Sequence, residues 1–399
     1  MSRRGGWTRQ EGWRRQEGWT RREALGAGLA GALGLATSAR AQAGEMLVYV
    51  GTYTQRAGKG IYAWRFQASP PKAISLGLVA EASNPSFLAV HPNRRYLYAV
   101  NEDSLFQGRP SGAASAYAID PANGKLTLLN QVATHSPGPC HLALDKTAKW
   151  LFVANYAGGS ITEFPVLADG SLGDDSAFIQ HRGSSVDQQR QTAPHAHEVV
   201  PTPDNRFVLV PDLGLDEVLT YRFDAARGTL APGDPPFTRV APGSGPRHLA
   251  LHPNGKWVYV LAELTATVAL YTFDAARGHL QDLVETVSML PKDYPGGKSG
   301  AEIVVSPGGH FLYASNRGHD TIVVFSIDAQ KGTLTKIDYI ETEGKTPRNF
   351  TFDPTGEFLF AANQDSGNVA VFRRNGATGR ATPLGLTMEV PYPVCVVFR

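Results

Sequence analysis

Cysteine is scarce: Cys140 and Cys395 are the only two in 399 residues. Two thiols cannot staple a disulfide scaffold, so a chain of this size must be held by its core. A net charge of one sign is also missing, with 38 Lys and Arg against 36 Asp and Glu. That balance argues against nucleic acid as a partner. Long hydrophobic runs are lacking too. The one candidate, residues 24–36, is a Gly- and Ala-rich stretch too short to span a bilayer. No Gly-x-Ser-x-Gly element occurs in strand-turn-helix context, which removes the serine nucleophile elbow. What the chain has in quantity is turn formers, 42 Gly and 27 Pro, with 10% aromatics spread among them. This points to one large, turn-rich β domain rather than two average ones.

The first forty-odd residues differ from the rest. Gly6-Trp-Thr-Arg-Gln10, Gly12-Trp-Arg-Arg-Gln16 and Gly18-Trp-Thr-Arg-Arg22 form a six-residue repeat with no apolar period, and disorder is expected there. Arg21 and Arg22 then precede the weakly apolar stretch, and Ala41-Gln-Ala43 supplies a small-x-small cleavage pattern. The combination resembles a twin-arginine export signal, so residues 1–43 are read as a disordered N-terminus plus signal peptide and residues 44–399 as the folded domain. Export to the periplasm or beyond is expected, with no membrane attachment once the signal is gone. Removing 1–43, with its eight Arg and three Glu, leaves 30 Lys and Arg against 33 Asp and Glu, formally −3.

The domain is built from a repeated hairpin. In Gly245-Pro-Arg-His-Leu-Ala-Leu-His-Pro-Asn-Gly-Lys-Trp-Val-Tyr-Val-Leu-Ala-Glu263 two apolar strands flank the turn His252-Pro-Asn-Gly255. Copies at 87–102, 141–156, 198–213, 302–317 and 349–364 align with it without a gap. Their turn positions Pro92, Lys146, Pro203, Pro253, Pro307 and Pro354 lie 54, 57, 50, 54 and 47 residues apart. A third strand and a Gly-turn into a fourth follow each hairpin, as in Leu219-Thr-Tyr-Arg-Phe-Asp-Ala-Ala-Arg-Gly228. Four strands at this period make a propeller blade. Residues 46–53 match a second strand with no first before it, and Pro393-Val-Cys-Val-Val-Phe398 matches a first strand with no blade after it. The expected fold is therefore all-β, a seven-bladed β-propeller closed by N- and C-terminal strands in one blade.

In such a ring the opening residues of the first strands share one rim with the residues ending the second strands. The first set includes Cys140/His141, His197/Glu198, Arg247/His248, Ala301/Glu302 and Arg348/Asn349. The second includes Tyr53, Glu102, Tyr156, Glu263, Arg317 and Gln364. Structural repeats should repeat, yet here His, Arg and Glu alternate, so a ligand site is expected at this mouth. The bland alternative is a water-filled channel.

The motifs Pro194-His-Ala-His-Glu-Val199, Gly245-Pro-Arg-His-Leu-Ala-Leu-His-Pro-Asn254, Ala262-Glu-Leu264 and Ala314-Ser-Asn-Arg317 resemble the seven-bladed propeller lactonases. This family includes one type of 6-phosphogluconolactonase and the fungal carboxy-muconate lactonizing enzymes. The resemblance implies a lactone hydrolase acting on a sugar-acid lactone, without a cofactor, with His197, Arg247, Glu263 and Arg317 as catalytic residues. Ala262 stands where a common pattern of the family has Asn. In lactone hydrolysis Glu263 or His197 would take the water's proton while Arg247 and Arg317 hold the oxyanion and the substrate's anionic end. His195, His141, His248, Glu302 and Arg348 are expected as substrate contacts. Three other readings stay open: a metal at His195-x-His197, a non-catalytic propeller binding a glycan or protein, and a muconate-type cycloisomerase.

Overall fold

The computed structural model describes residues 45–55 and 57–399. The export signal expected within residues 1–43 lies outside them. The described chain forms seven four-stranded antiparallel sheets, each running from an inner to an outer strand, plus one small two-stranded hairpin, Leu105–Phe106 with Arg109–Pro110. Six blades are contiguous in sequence. The remaining one pairs Pro393–Phe398, as its innermost strand, with Glu45–Thr52, in the register Val48↔Phe398 to Gly51↔Cys395. Blades are numbered below from this one.

The hairpin chemistry works as its sequence dictates. In blade 5, Pro246–Leu251 and Trp257–Ala262 are joined by a turn in which His252 N donates to Trp257 O at 2.9 Å and Gly255 N to His252 O at 2.9 Å. Second strands are buried along nearly all their length, and wholly in Trp257–Ala262, Phe311–Asn316 and Phe358–Asn363, because a neighbouring blade covers each face. Outer strands such as Thr229–Arg239 alternate with solvent.

The core is divided accordingly. Its seven apolar clusters each draw on two adjacent blades; one joins Trp257, Tyr259 and Leu270 of blade 5 to Leu312, Val323 and Phe325 of blade 6. Polar staples fix the spacing. Tyr49, Tyr98 and Tyr259 each donate to a glycine carbonyl in the outer hairpin of the next blade, Gly124, Gly170 and Gly332, at 3.1, 3.0 and 2.8 Å. Those outer turns need glycine. Gly228 has φ 61°, and a Cβ there would sit 2.0 Å from the Trp150 ring.

Blade 4 departs from the repeat. A first strand from Glu198 is expected, but only Val200–Pro201 pairs, since Val199 N turns instead to His141 Nδ1 at 3.4 Å, and the chain before it rejoins the ladder at the Ala196–Asp212 bridge. Cys140 and Cys395 are buried and unpaired, opening the inner strands of blades 3 and 1 with blade 2 between them.

Deleting residues 393–399 removes buried Val394, Cys395 and Val396 and bares the edge of Glu45–Thr52. Burial of each aliphatic side chain stabilises by about 1.5–3 kcal/mol, against a typical net stability of about 5–15 kcal/mol. The truncated protein is expected to be insoluble or to lose its cooperative melt in calorimetry; an unchanged melting temperature would contradict ring closure.

Candidate active site

A β-bulge sits at the opening of the inner strands in blades 1, 3, 5, 6 and 7. In blade 5 Pro246 pairs with Ala262 and His248 with Leu261, so Arg247 is the extra residue; in blades 3 and 7 Cys140 and Arg348 hold that place. In a regular strand consecutive side chains face opposite ways. The bulge re-aims one of them, so that Arg247 and His248, and likewise Arg348 and Asn349, line the same constriction of the channel. That constriction has about 10 Å³ of free space, about one water. Above it opens a cavity of about 230 Å³ lined by Tyr53, Glu102, Cys140, Tyr156, Arg190, His197, Glu263, Arg317 and Arg348.

Glu263 is the centre of the cavity's charge. Its Oε2 accepts from Arg247 Nε at 3.1 Å and is paired with Arg317 Nη2 at 2.8 Å, and its Oε1 accepts from Arg190 Nη2 at 2.7 Å. The three guanidinia are not equivalent. Arg247 and Arg317 are 3% and 15% exposed and also donate to backbone carbonyls, Ala301 O at 2.6 Å and Gly300 O at 3.0 Å. Arg190 comes from the long loop before Pro194, is 42% exposed, and also donates to Tyr156 Oη at 3.2 Å. Burial pushes the Glu263 carboxyl upward, but Arg317, Arg247 and Arg190 together outweigh it and hold the carboxyl at about 2. Arg348 is different again: it lies over the Tyr53 ring at 5.2 Å, and among the described residues no carboxylate forms an ion pair with it.

His197 is 5% exposed, and burial and then the nearby Arg247 charge lower its basicity well below the ordinary imidazole range. It is therefore neutral at neutral pH. Cys140 lies beside it, with Sγ 3.8 Å from His197 Nδ1, but the thiol reaches His197 O at 3.4 Å, and burial pushes its pKa well up. It is a buried thiol, not a thiolate nucleophile.

Below the cavity the remaining expected contacts form a separate layer. His248 Nδ1 meets Glu302 Oε1 at 2.9 Å, and Asn349 Nδ2 donates to Glu302 Oε2 at 2.7 Å. Glu198 Oε2 accepts from Leu249 N at 2.7 Å, and burial and then the Glu302 charge raise its pKa well above the usual range. His141 packs on Phe87, with ring centroids 4.1 Å apart. His195 turns away: its ring stacks on Tyr156 at 4.5 Å, its Nδ1 meets Tyr156 O at 2.9 Å, and it does not line the cavity. His195 and His197 thus diverge, and among the described residues no group of three or more His, Cys, Asp or Glu side chains converges as metal ligands would.

Residues 47–398 match the family model described as lactonase, 7-bladed beta-propeller. The chain belongs to this family. It is 37% identical over 350 residues to a 6-phosphogluconolactonase of Bacillus subtilis, covering 88% of this chain and 97% of that one. A 6-phosphogluconolactonase of Formosa agariphila is 35% identical over 76% of this chain and 85% of its own. Among solved structures, the periplasmic gluconolactonase of Pseudomonas aeruginosa matches with a TM-score of 0.83 at 35% identity, over 89% of this chain and 99% of that one.

In this lactonase-family chain, Glu263, Arg317, His197 and Arg348 come together in one cavity, while Arg247, bonded to Glu263 from the adjoining constriction, lies with His248 and Glu302 at its floor. Reading the repeat columns misses Arg190. Its loop has no counterpart in other blades, and the only hint is its closeness in sequence to Pro194-His-Ala-His197.

The low Glu263 pKa has a consequence for stability. Depressed from 4.5 to about 2, the group contributes roughly 3 kcal/mol that is fully present above pH 4.5 and is lost as pH falls through about 2. Glu263→Gln is therefore expected to lower the melting temperature at pH 7, and the gap to the parent protein should narrow as the pH falls below 4.5. Melting curves across this range check it; a gap independent of pH would contradict the three-arginine clamp.

Proposed function

We propose that the protein hydrolyses sugar-acid lactones of the gluconolactone or 6-phosphogluconolactone type in the cavity around Glu263. The observation that carries this reading is a neutral, buried imidazole facing a cavity lined by three guanidinia, with that of Arg247 at the constriction beneath; one of the four, Arg348, forms no ion pair with a carboxylate among the described residues. Arg348 and the spare N–H groups of Arg247 and Arg317 receive the carbonyl oxygen, which gains negative charge as water attacks. His197 takes the proton from that water. As the tetrahedral intermediate collapses, the ring C–O bond breaks and His197 returns the proton to the departing oxygen. The product is a hydroxy acid, which ionises at neutral pH, and the imidazole is neutral again.

Glu263 is a poor candidate for the base on this reading. A carboxylate held at about 2, with both oxygens already accepting charged hydrogen bonds, has little affinity for a further proton. Its role is to hold three like charges at one place. Position in the repeat does not separate the roles of Glu263 and His197, whereas the charges around each of them do. The same four cations would also suit a dicarboxylate, and product analysis on muconates tests that second reading.

We propose further that the chain is exported through its Arg21-Arg22 signal, supported by the sequence pattern and by the similarity to a protein described as periplasmic. Arg21→Lys with Arg22→Lys should retain the precursor in the cytoplasm on cell fractionation.

For the reaction, His197→Ala should lower kcat on glucono-δ-lactone by at least about 10²-fold with folding intact. Activity of the parent protein should be level through neutral pH and fall only below 6.5, as His197 binds a proton. Retention of near-full activity by His197→Ala would reassign the base, and absence of lactone hydrolysis in the parent protein, followed by alkali uptake, would remove the lactonase reading.

A further inference from the structure

A second compartment adjoins the cavity. It has about 310 Å³ of free space and is lined by Tyr53, Gln55, Glu102, Gln364 and Tyr392. Tyr53 and Glu102 line both compartments, and Tyr53 Oη donates to Glu102 Oε2 at 2.9 Å. Tyr53, Glu102 and Gln364 follow the ends of second strands, and Tyr392 precedes the inner strand Pro393–Phe398, so all of them stand on the active-site rim. Tyr53 N donates to Tyr392 O at 3.1 Å, which ties two of the walls together.

The two compartments differ in chemistry. The first is ringed by guanidinia and suits an oxyanion or a carboxylate. Among the described residues lining the second there is no cation; they are two tyrosines, two glutamine amides and one carboxylate. Gln364 Nε2 is used by Asp365 Oδ1 at 2.9 Å, which leaves its carbonyl oxygen to accept, and among the described residues neither the Gln55 amide nor Glu102 Oε1 has a hydrogen-bond partner. Amides and a carboxylate beside aromatic faces bind hydroxyl groups and ring C–H surfaces, and a lining whose one charge is the Glu102 carboxylate disfavours phosphate.

We infer that this compartment is a subsite for an uncharged sugar ring, and that the preferred substrate is the lactone of a disaccharide aldonic acid, with its glycosyl unit between Gln55 and Gln364. The inference rests on the lactonase reading above and adds the class of substrate. Binding energy from the remote ring would act on the reacting one by fixing its position.

The test compares the lactone of a 4-O-glycosyl gluconic acid with glucono-δ-lactone on the purified protein and on Gln55→Ala/Gln364→Ala. The disaccharide lactone should have the higher kcat/KM, by about tenfold, which is the worth of one or two neutral hydrogen bonds. The double variant should lose that advantage and leave glucono-δ-lactone unchanged. If glucono-δ-lactone is hydrolysed and the disaccharide lactone is no better, or both fall equally in the variant, the subsite is overturned while the lactonase reading stands. If neither lactone is hydrolysed, that reading fails, and calorimetric titration with the open-chain 4-O-glycosyl gluconate decides the subsite. Tighter binding than gluconate, lost in the variant, supports it; equal binding overturns it.

Discussion

The cavity depends on one carboxylate held by three guanidinia. Four arginines brought to one mouth of the channel repel one another, and burial disfavours each of their charges. Glu263 makes the arrangement stable by accepting from a loop of blade 4, the bulge of blade 5 and the second-strand end of blade 6 at once. Burial first, and then the same charges, explain why His197 is neutral. Cations around a buried imidazole lower its affinity for a proton further, so the group that keeps the arginines in place also helps to keep an unprotonated imidazole beside them. Removing a partner from such a buried cluster costs more than the pair itself contributes, because the remaining charges stay buried and uncompensated.

The propeller allows such a site because packing is done elsewhere. Seven apolar clusters lie between blades, and tyrosine-to-glycine hydrogen bonds fix neighbouring blades at their outer turns. The inner strands are thereby relieved of much of the core's work at their opening residues. Those positions are free to differ from blade to blade, and a bulge there turns an extra side chain into the channel without disturbing the ladder beyond it. Closure by Pro393–Phe398 completes this division, since an open ring would leave one inter-blade cluster half exposed.

Much of this was legible in the residues. The blade period, the complementary chain ends and the meeting of Arg247, Glu263 and Arg317 all come from aligning one hairpin, because repeats convert sequence spacing into position on a rim. Arg190 was not legible, since its loop occurs once and alignment carries no information about an unrepeated segment. Nor were the bulges, because one added residue at a strand opening leaves the apolar alternation downstream unchanged. The direction of His195 depended on Tyr156, a partner from another blade whose ring stacks on it and whose carbonyl meets its Nδ1. The role of Glu263 turned on a count of charges around it, and proximity in a column gives neighbours without giving their number.

The charge of the cavity also bears on product release. On the proposed reading the lactone carbonyl is uncharged when it enters and has become a carboxylate when it leaves, so the guanidinia that stabilise the developing oxyanion also hold the finished carboxylate. Glu263 limits this effect, because much of the charge on Arg247, Arg317 and Arg190 is already engaged by its two oxygens, and among the described residues only Arg348 faces the cavity without a carboxylate partner. On that reading one uncommitted cation, helped by the spare N–H groups of Arg247 and Arg317, favours the transition state over the uncharged carbonyl. Four would favour the product as well, and release would then limit turnover. On that reading the three-arginine clamp places strong hydrogen-bond donors around the reacting carbonyl while keeping the net attraction for the departing anion modest.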